Sequence, residues 1–132
     1  MAELNINTGL KEYTLNDSVT IRFNPTDMAF ATQLYNAFAS LEEKQNEPVP
    51  EEGAFEWFDE RDREMRDTIN GVFGVDVCTP LFGTMNVYAL AGGMPLWTNL
   101  LFAIIDEMDE SVKKEQKAHK AAIDKYTKKY HR

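Results

Sequence analysis

Apolar residues recur at every second position near the start of the chain: Leu4 and Ile6, Tyr13 and Leu15, then Val19, Ile21 and Phe23. That period places alternate side chains on one face of an extended strand. Thr8-Gly9 and Asn16-Asp17 are turn formers between the runs, so residues 1–24 are predicted as a short β-hairpin or a three-stranded meander. So small a sheet is not stable alone and must pack its apolar face on the helices of the remaining chain.

After Asn24 the period changes to that of a helix. Asn24 reads as an N-cap, Pro25 as the first helical residue and Asp27 as an acid in the first turn. Phe30, Leu34, Phe38 and Leu41 then mark one buried face, which predicts a helix over 25–45. Pro48 and Pro50 end it. A second helix, over 51–73, carries Phe55, Phe58, Met65, Ile69 and Val72 on one face. On its charged face, Asp59 with Arg63 and Asp62 with Arg66 are i, i+4 pairs that support the helix. Gly71 and Gly74 close it, and Pro80, Gly83 and Gly92-Gly93 break residues 75–93 into short turns, the glycine pair reading as a helix terminator.

The last element, a main helix over 95–112, is apolar nearly all round for its first turns. Trp97, Leu101, Ile104, Met108 and Val112 form one stripe, Leu96, Leu100 and Ala103 a second, and Phe102 and Ile105 a third. Such a helix is either the central core helix or one that shares a face with another chain. Residues 113–132 form a basic tail, either an extension of this helix or disordered; fully helical, the element reaches about 36 residues and roughly 54 Å. The predicted class is therefore α+β, mostly α, with a strand pair or meander packed on antiparallel helices, in one domain over 1–112.

Composition narrows what such a domain does. The chain has 132 residues, 43% of them hydrophobic, and a formal net charge of −8. The charge is divided: 20 acids against 6 bases through Val112, a net −14, then 2 acids against 8 bases, a net +6. An acidic body disfavours direct nucleic-acid binding, which needs clustered Lys and Arg. The tail lysines Lys113, Lys114, Lys117, Lys120, Lys128 and Lys129 are the expected docking set for an acidic partner or a second copy. The simpler alternative is a solvated helix end, where cations offset the helix dipole. No membrane partner is expected, because the apolar run 96–105 is shorter than the roughly 20 residues that span a bilayer, and the opening residues lack the pattern of a secretory signal.

Candidate chemistry is sparse. The only histidines, His119 and His131, lie in the tail, and the single Cys78 sits in an apolar stretch, which reads as a buried, unreactive thiol. Adjacent acids such as Glu42-Glu43, Glu51-Glu52 and Asp106-Glu107 follow from composition. Neither Gly71-Val72-Phe73-Gly74 nor Gly92-Gly93 has the spacing of a phosphate loop. The expectation is a binding protein in the cytoplasm, with no catalytic residues, no cofactor and no metal.

The junction Val19-Thr20-Ile21-Arg22-Phe23-Asn24-Pro25-Thr26-Asp27, the pair Phe73-Gly74 and Leu81-Phe82-Gly83, the run from Asn86 to Gly93, and the ending Lys125-Tyr126-Thr127-Lys128-Lys129-Tyr130 carry a resemblance. Together they resemble small tail proteins of phages and prophages of Firmicutes, similar in size and make-up to tail assembly chaperones. The resemblance implies a chaperone in the bacterial host cytoplasm that self-associates and binds the apolar helical tape-measure protein, or another tail protein, during virion morphogenesis. It brings no catalytic residues with it. The expected client or subunit contacts are Trp97, Leu101, Phe102, Ile105 and Met108, rimmed by Asp106, Glu107, Asp109 and Glu110. Two other readings stay open: an acidic nucleic-acid mimic that inhibits a host defence enzyme through the carboxylates of residues 51–67, and a structural tail or head-completion protein.

Overall fold

The computed structural model describes residues 1–130, and the side chains of Tyr126, Lys129 and Tyr130 fall outside that description together with His131 and Arg132. Strands β1 (Lys11–Leu15) and β2 (Val19–Phe23) form an antiparallel hairpin, followed by helices α1 (Met28–Gln45), α2 (Ala54–Phe73) and the single turn α3 (Cys78–Phe82). A two-residue hairpin, β3 (Leu90–Ala91) with β4 (Met94–Pro95), leads directly into α4 (Leu96–Tyr130). Helix exceeds strand, 59% against 11%, so the fold is α+β and mostly α, with a strand pair at one end of the chain and a long helix at the other.

Of the two arrangements open for residues 1–24, the hairpin is the one formed. Asn16 and Asp17 both adopt positive φ in its turn, and Tyr13 pairs with Ile21 in register, which puts Tyr13, Leu15, Ile21 and Phe23 on the inner face. Residues 1–10 form no strand, and Leu4 and Ile6 are exposed. Alternation by itself gives no ladder bonds, and no neighbour offers Leu4 and Ile6 an apolar face.

The Asn24 cap is corrected by three residues. Asn24-Pro25-Thr26-Asp27 is a β-turn, closed by the Asp27 N–H donating to the Asn24 carbonyl at 3.0 Å. Asn24 Oδ1 accepts from the Thr26 N–H, and it is Asp27 that caps α1 by accepting from the Ala29 N–H at 2.9 Å. Pro25 suits the second position of a turn as well as the first of a helix, because the same φ serves both. Helix α2 likewise starts at Ala54, after Gly53 in the left-handed region, rather than at residue 51.

One core joins all the longer elements. Ile21 and Phe23 of the hairpin, Leu34 and Leu41 of α1, Met65 and Ile69 of α2, Val77 and Cys78, Val87, and Leu101, Ile104 and Met108 of α4 are buried together. Aromatic rings extend it as a stack from Tyr13 to Phe23 to Phe30, at centroid distances of 5.0 and 4.4 Å. Beyond Val112 the side chains of α4 that are described are exposed, with Glu115 facing a shallow concavity shared with Thr8, Lys11 and Asn24.

Residues 75–93 are held by side chains rather than by regular structure. Asn70 Oδ1 accepts from the N–H groups of Val77 and Cys78, and Asp76 Oδ1 accepts from the Thr79 N–H, a bond that holds the Asp76 carboxyl below its usual range. Asp62 Oδ1 accepts from the Val87 N–H at 2.7 Å while Oδ2 takes Arg66 Nε at 2.9 Å, and Arg66 also donates to the carbonyls of Gly83 and Met85. The Asp62–Arg66 pair therefore does more than support its helix: it fastens the following loop to it. Asp59 and Arg63, the other expected pair, make no ion pair among the described residues. Gly92 and Gly93 are also corrected, from helix terminators to the two-residue turn between β3 and β4, where both adopt positive φ. Gly74, at φ 72°, does terminate α2.

Asp62→Ala removes the acceptor for a partly buried N–H and the counter-ion of Arg66 together. It is expected to lower the unfolding free energy by about 2 kcal/mol, read from the midpoint of urea denaturation. Asp59→Ala serves as the control and should leave that midpoint within about 0.5 kcal/mol equivalent.

Candidate functional site

The five expected contact residues on α4 are separated by the fold. Trp97 is 3% exposed and its indole N–H donates to Gln45 Oε1 at 2.9 Å; Leu101 and Met108 are buried beside it. These three pack the body and present nothing to a partner, a correction to the expected contact set. They form the core stripe because α1 and the hairpin cover that side of the helix, through Phe38 against Trp97 and through Tyr13, whose hydroxyl donates to Glu107 Oε1. Phe102 stays 37% exposed while stacking on Phe38, with centroids 5.6 Å apart, and Ile105 is half-buried.

The expected docking lysines Lys113, Lys114, Lys117, Lys120 and Lys128 are all exposed on the free part of α4. Among the described residues none of them forms an ion pair. Lys129 belongs to the same expected set, and its side chain lies outside the described residues, as does His131.

Two exposed apolar side chains stand close together on α2 and β3, and of these the sequence pattern places Phe55 on the buried face. Phe55, in the first turn of α2, is 88% exposed, and Leu90 in β3 is 71% exposed. Between them runs a groove of about 570 Å³ whose floor is Phe58 and Tyr88 and whose rim includes Gln45, Asp59 and Asn86. The floor is rigid. Phe58 and Tyr88 meet edge to face at 5.2 Å, Asn86 Nδ2 donates to the Phe58 carbonyl, and Asn86 Oδ1 accepts from the Tyr88 N–H. The Tyr88 hydroxyl donates to the Lys44 carbonyl at 3.2 Å, and burial followed by the charge of Glu47 pushes its pKa up. Phe55 points about 70° away from the stripe of Phe58, Met65, Ile69 and Val72, as the helical angle of 100° per residue requires. That offset was the signal in the sequence that Phe55 lies at the edge of the buried face.

A second concavity, about 460 Å³, lies between the hairpin turn, α3 and the start of α4, lined by Leu15, Leu81, Phe82, Met85, Leu96 and Leu100. Neither concavity contains a histidine or the cysteine. Among the described residues no three His, Cys, Asp or Glu side chains gather as a metal-ligand set, and no helix is long and apolar enough to cross a membrane. Cys78 is buried in the core, and desolvation pushes its thiol up to about 12.

No family model, no curated protein and no solved structure matches this chain.

The raised thiol fixes a sign. Because the folded state keeps the proton to about pH 12 whereas an unfolded thiol releases it near 9.0, the contribution of Cys78 to stability is complete below pH 9 and is lost as pH rises toward 12. Denaturation midpoints measured across that window should fall more steeply for the parent chain than for Cys78→Ala. At neutral pH the thiol should resist Ellman's reagent until denaturant is added.

Proposed function

We propose that this chain is a binding protein of the tail assembly chaperone kind, whose client is an apolar helical segment such as that of a tape-measure protein. The observation that carries the proposal is the groove between Phe55 and Leu90, a rigid aromatic floor with two apolar side chains left in solvent and an acid on the rim. An amphipathic helix laid there would place anchors at i and i+3 or i+4 between those side chains and turn its polar face outward. Exposed aromatic surface of this kind is costly to a protein that does not cover it, and the net charge of −8 supports solubility while the groove is empty. The resemblance to phage tail proteins supplies the class of client.

The nucleic-acid mimic remains as a second reading because of one observation. Arg61 is turned to Glu47 and Glu64, and Arg66 to Asp62, so the outward acids Glu52, Glu56, Asp59, Glu60 and Asp67 keep only Arg63 among them. Inhibition of a nuclease by the purified chain, with no binding to a tape-measure fragment, would favour it.

Phe55→Glu combined with Leu90→Glu should weaken binding of a co-expressed tape-measure fragment by about tenfold or more, the loss typical of a central apolar anchor. Its circular dichroism and thermal midpoint should match those of the parent, since neither side chain is buried. Undiminished binding sinks the proposal. So does loss of binding on Phe102→Glu alone, which would move the client to α4.

A further inference from the structure

Helix α4 carries its charges in order along one face. With about 100° between successive residues, Asp106, Asp109 and Glu110 fall within roughly 100° of arc, and Lys113, Lys117 and Lys120 continue the same face, with Lys114 at its edge. All are exposed, and among the described residues none lies within ion-pair distance of an opposite charge. This face is opposite the core stripe of Trp97, Leu101, Ile104 and Met108, and only at its body end, where Phe102 stacks on Phe38, does another element of the same chain reach it. Its acidic half lies over the body and its basic half on the part of the helix that stands free.

A face that is negative at one end and positive at the other is complementary to itself when reversed. We infer that two copies of this chain pair antiparallel through the outer faces of α4, about a two-fold axis near residues 111 and 112. In that register Asp106 is opposite Lys117, Asp109 opposite Lys113 and Glu110 opposite Lys114 of the second copy, and symmetry repeats each pair. A parallel pairing in register would oppose acid to acid and base to base, so the charges select the direction as well as the partner. Phe102, partly exposed at the body end of the face, reaches the second copy near Lys120 and Ala121 and adds an apolar contact at each end. The two bodies lie on opposite sides of the helix pair, because each sits on the inner face of its own α4. The outer face of the helix beyond Val112, exposed in a single copy, is thereby covered. None of this depends on the client groove, which lies on α2 and β3.

Sedimentation of the full chain at low salt should give twice the 15.1 kDa of one copy, and rising salt should dissociate it, as pairs between exposed charges require. Two reversed variants test the arrangement: one with Lys113→Glu, Lys114→Glu and Lys117→Glu, the other with Asp106→Lys, Asp109→Lys and Glu110→Lys. Each alone should be a monomer with unchanged helix content, and an equimolar mixture should form the heterodimer. A monomeric parent at low salt, a dimer that survives either reversal, or a mixture that stays monomeric would overturn the inference. If a reversal disturbs folding, the neutral set with Gln for the three lysines must still raise the dimer dissociation constant by about tenfold, and an unchanged constant is equally fatal.

Discussion

The body is organised about the inner stripe of α4. Trp97, Leu100, Leu101, Ile104 and Met108 are all buried, and each of the other long elements contributes to the core that buries them. Full burial of side chains of this size contributes roughly 1.5–3 kcal/mol each, and among the described residues no other element buries so many apolar side chains. The stripe also fixes the direction of everything else on the helix. Once these residues face inward, Phe102 and Asp106 face outward, and the helix must continue along the same line past Val112 into solvent.

What the core does not organise, polar side chains do. The segment between α2 and α4 contains little regular structure, and its backbone groups find partners on Asn70, Asp76, Asp62, Arg66 and Asn86. Asn70, Asp62 and Asn86 satisfy part-buried backbone that would otherwise lose hydrogen bonds on leaving water. The start of α4 is completed from the same segment, as the Leu96 and Trp97 N–H groups donate to the carbonyls of Ala89 and Val87. The floor of the Phe55–Leu90 groove is part of this network. The proposed binding surface is thus built on a loop, and that loop is fastened by side chains of the helix that flanks it.

Charge follows the same division between body and extension. The acidic charge is carried by the body, and the basic residues of the tail lie on the exposed continuation of α4. Two of the three Arg residues of α2 are turned to other parts of the molecule, Arg61 tying α2 to the end of α1 through Glu47 and Arg66 holding the loop. As a result the outward charge of α2 is more acidic than its composition.

The alternation of Tyr13 to Phe23, the periods of α1, α2 and α4, and the prolines at 48 and 50 determined the elements and most of the buried residues, because burial on one face is a local property of strand and helix geometry. The burial of Cys78 was legible for the same reason, in its apolar surroundings. Where α1 begins was not, since Asn24-Pro25-Thr26-Asp27 suits a turn as well as a cap and only the Asp27–Ala29 bond decides. The candidate site was least legible. An apolar helix has more than one possible inner side, and it was the hairpin and α1, arriving from the far end of the chain, that took Trp97, Leu101 and Met108 into the core and left Phe102 out. In the same way Phe55 matched the pattern of a core residue, but α2 had no neighbour to cover its first turn. Sequence determined which faces were apolar; tertiary structure decided which of them were covered, because burial needs a second surface and periodicity describes only the first.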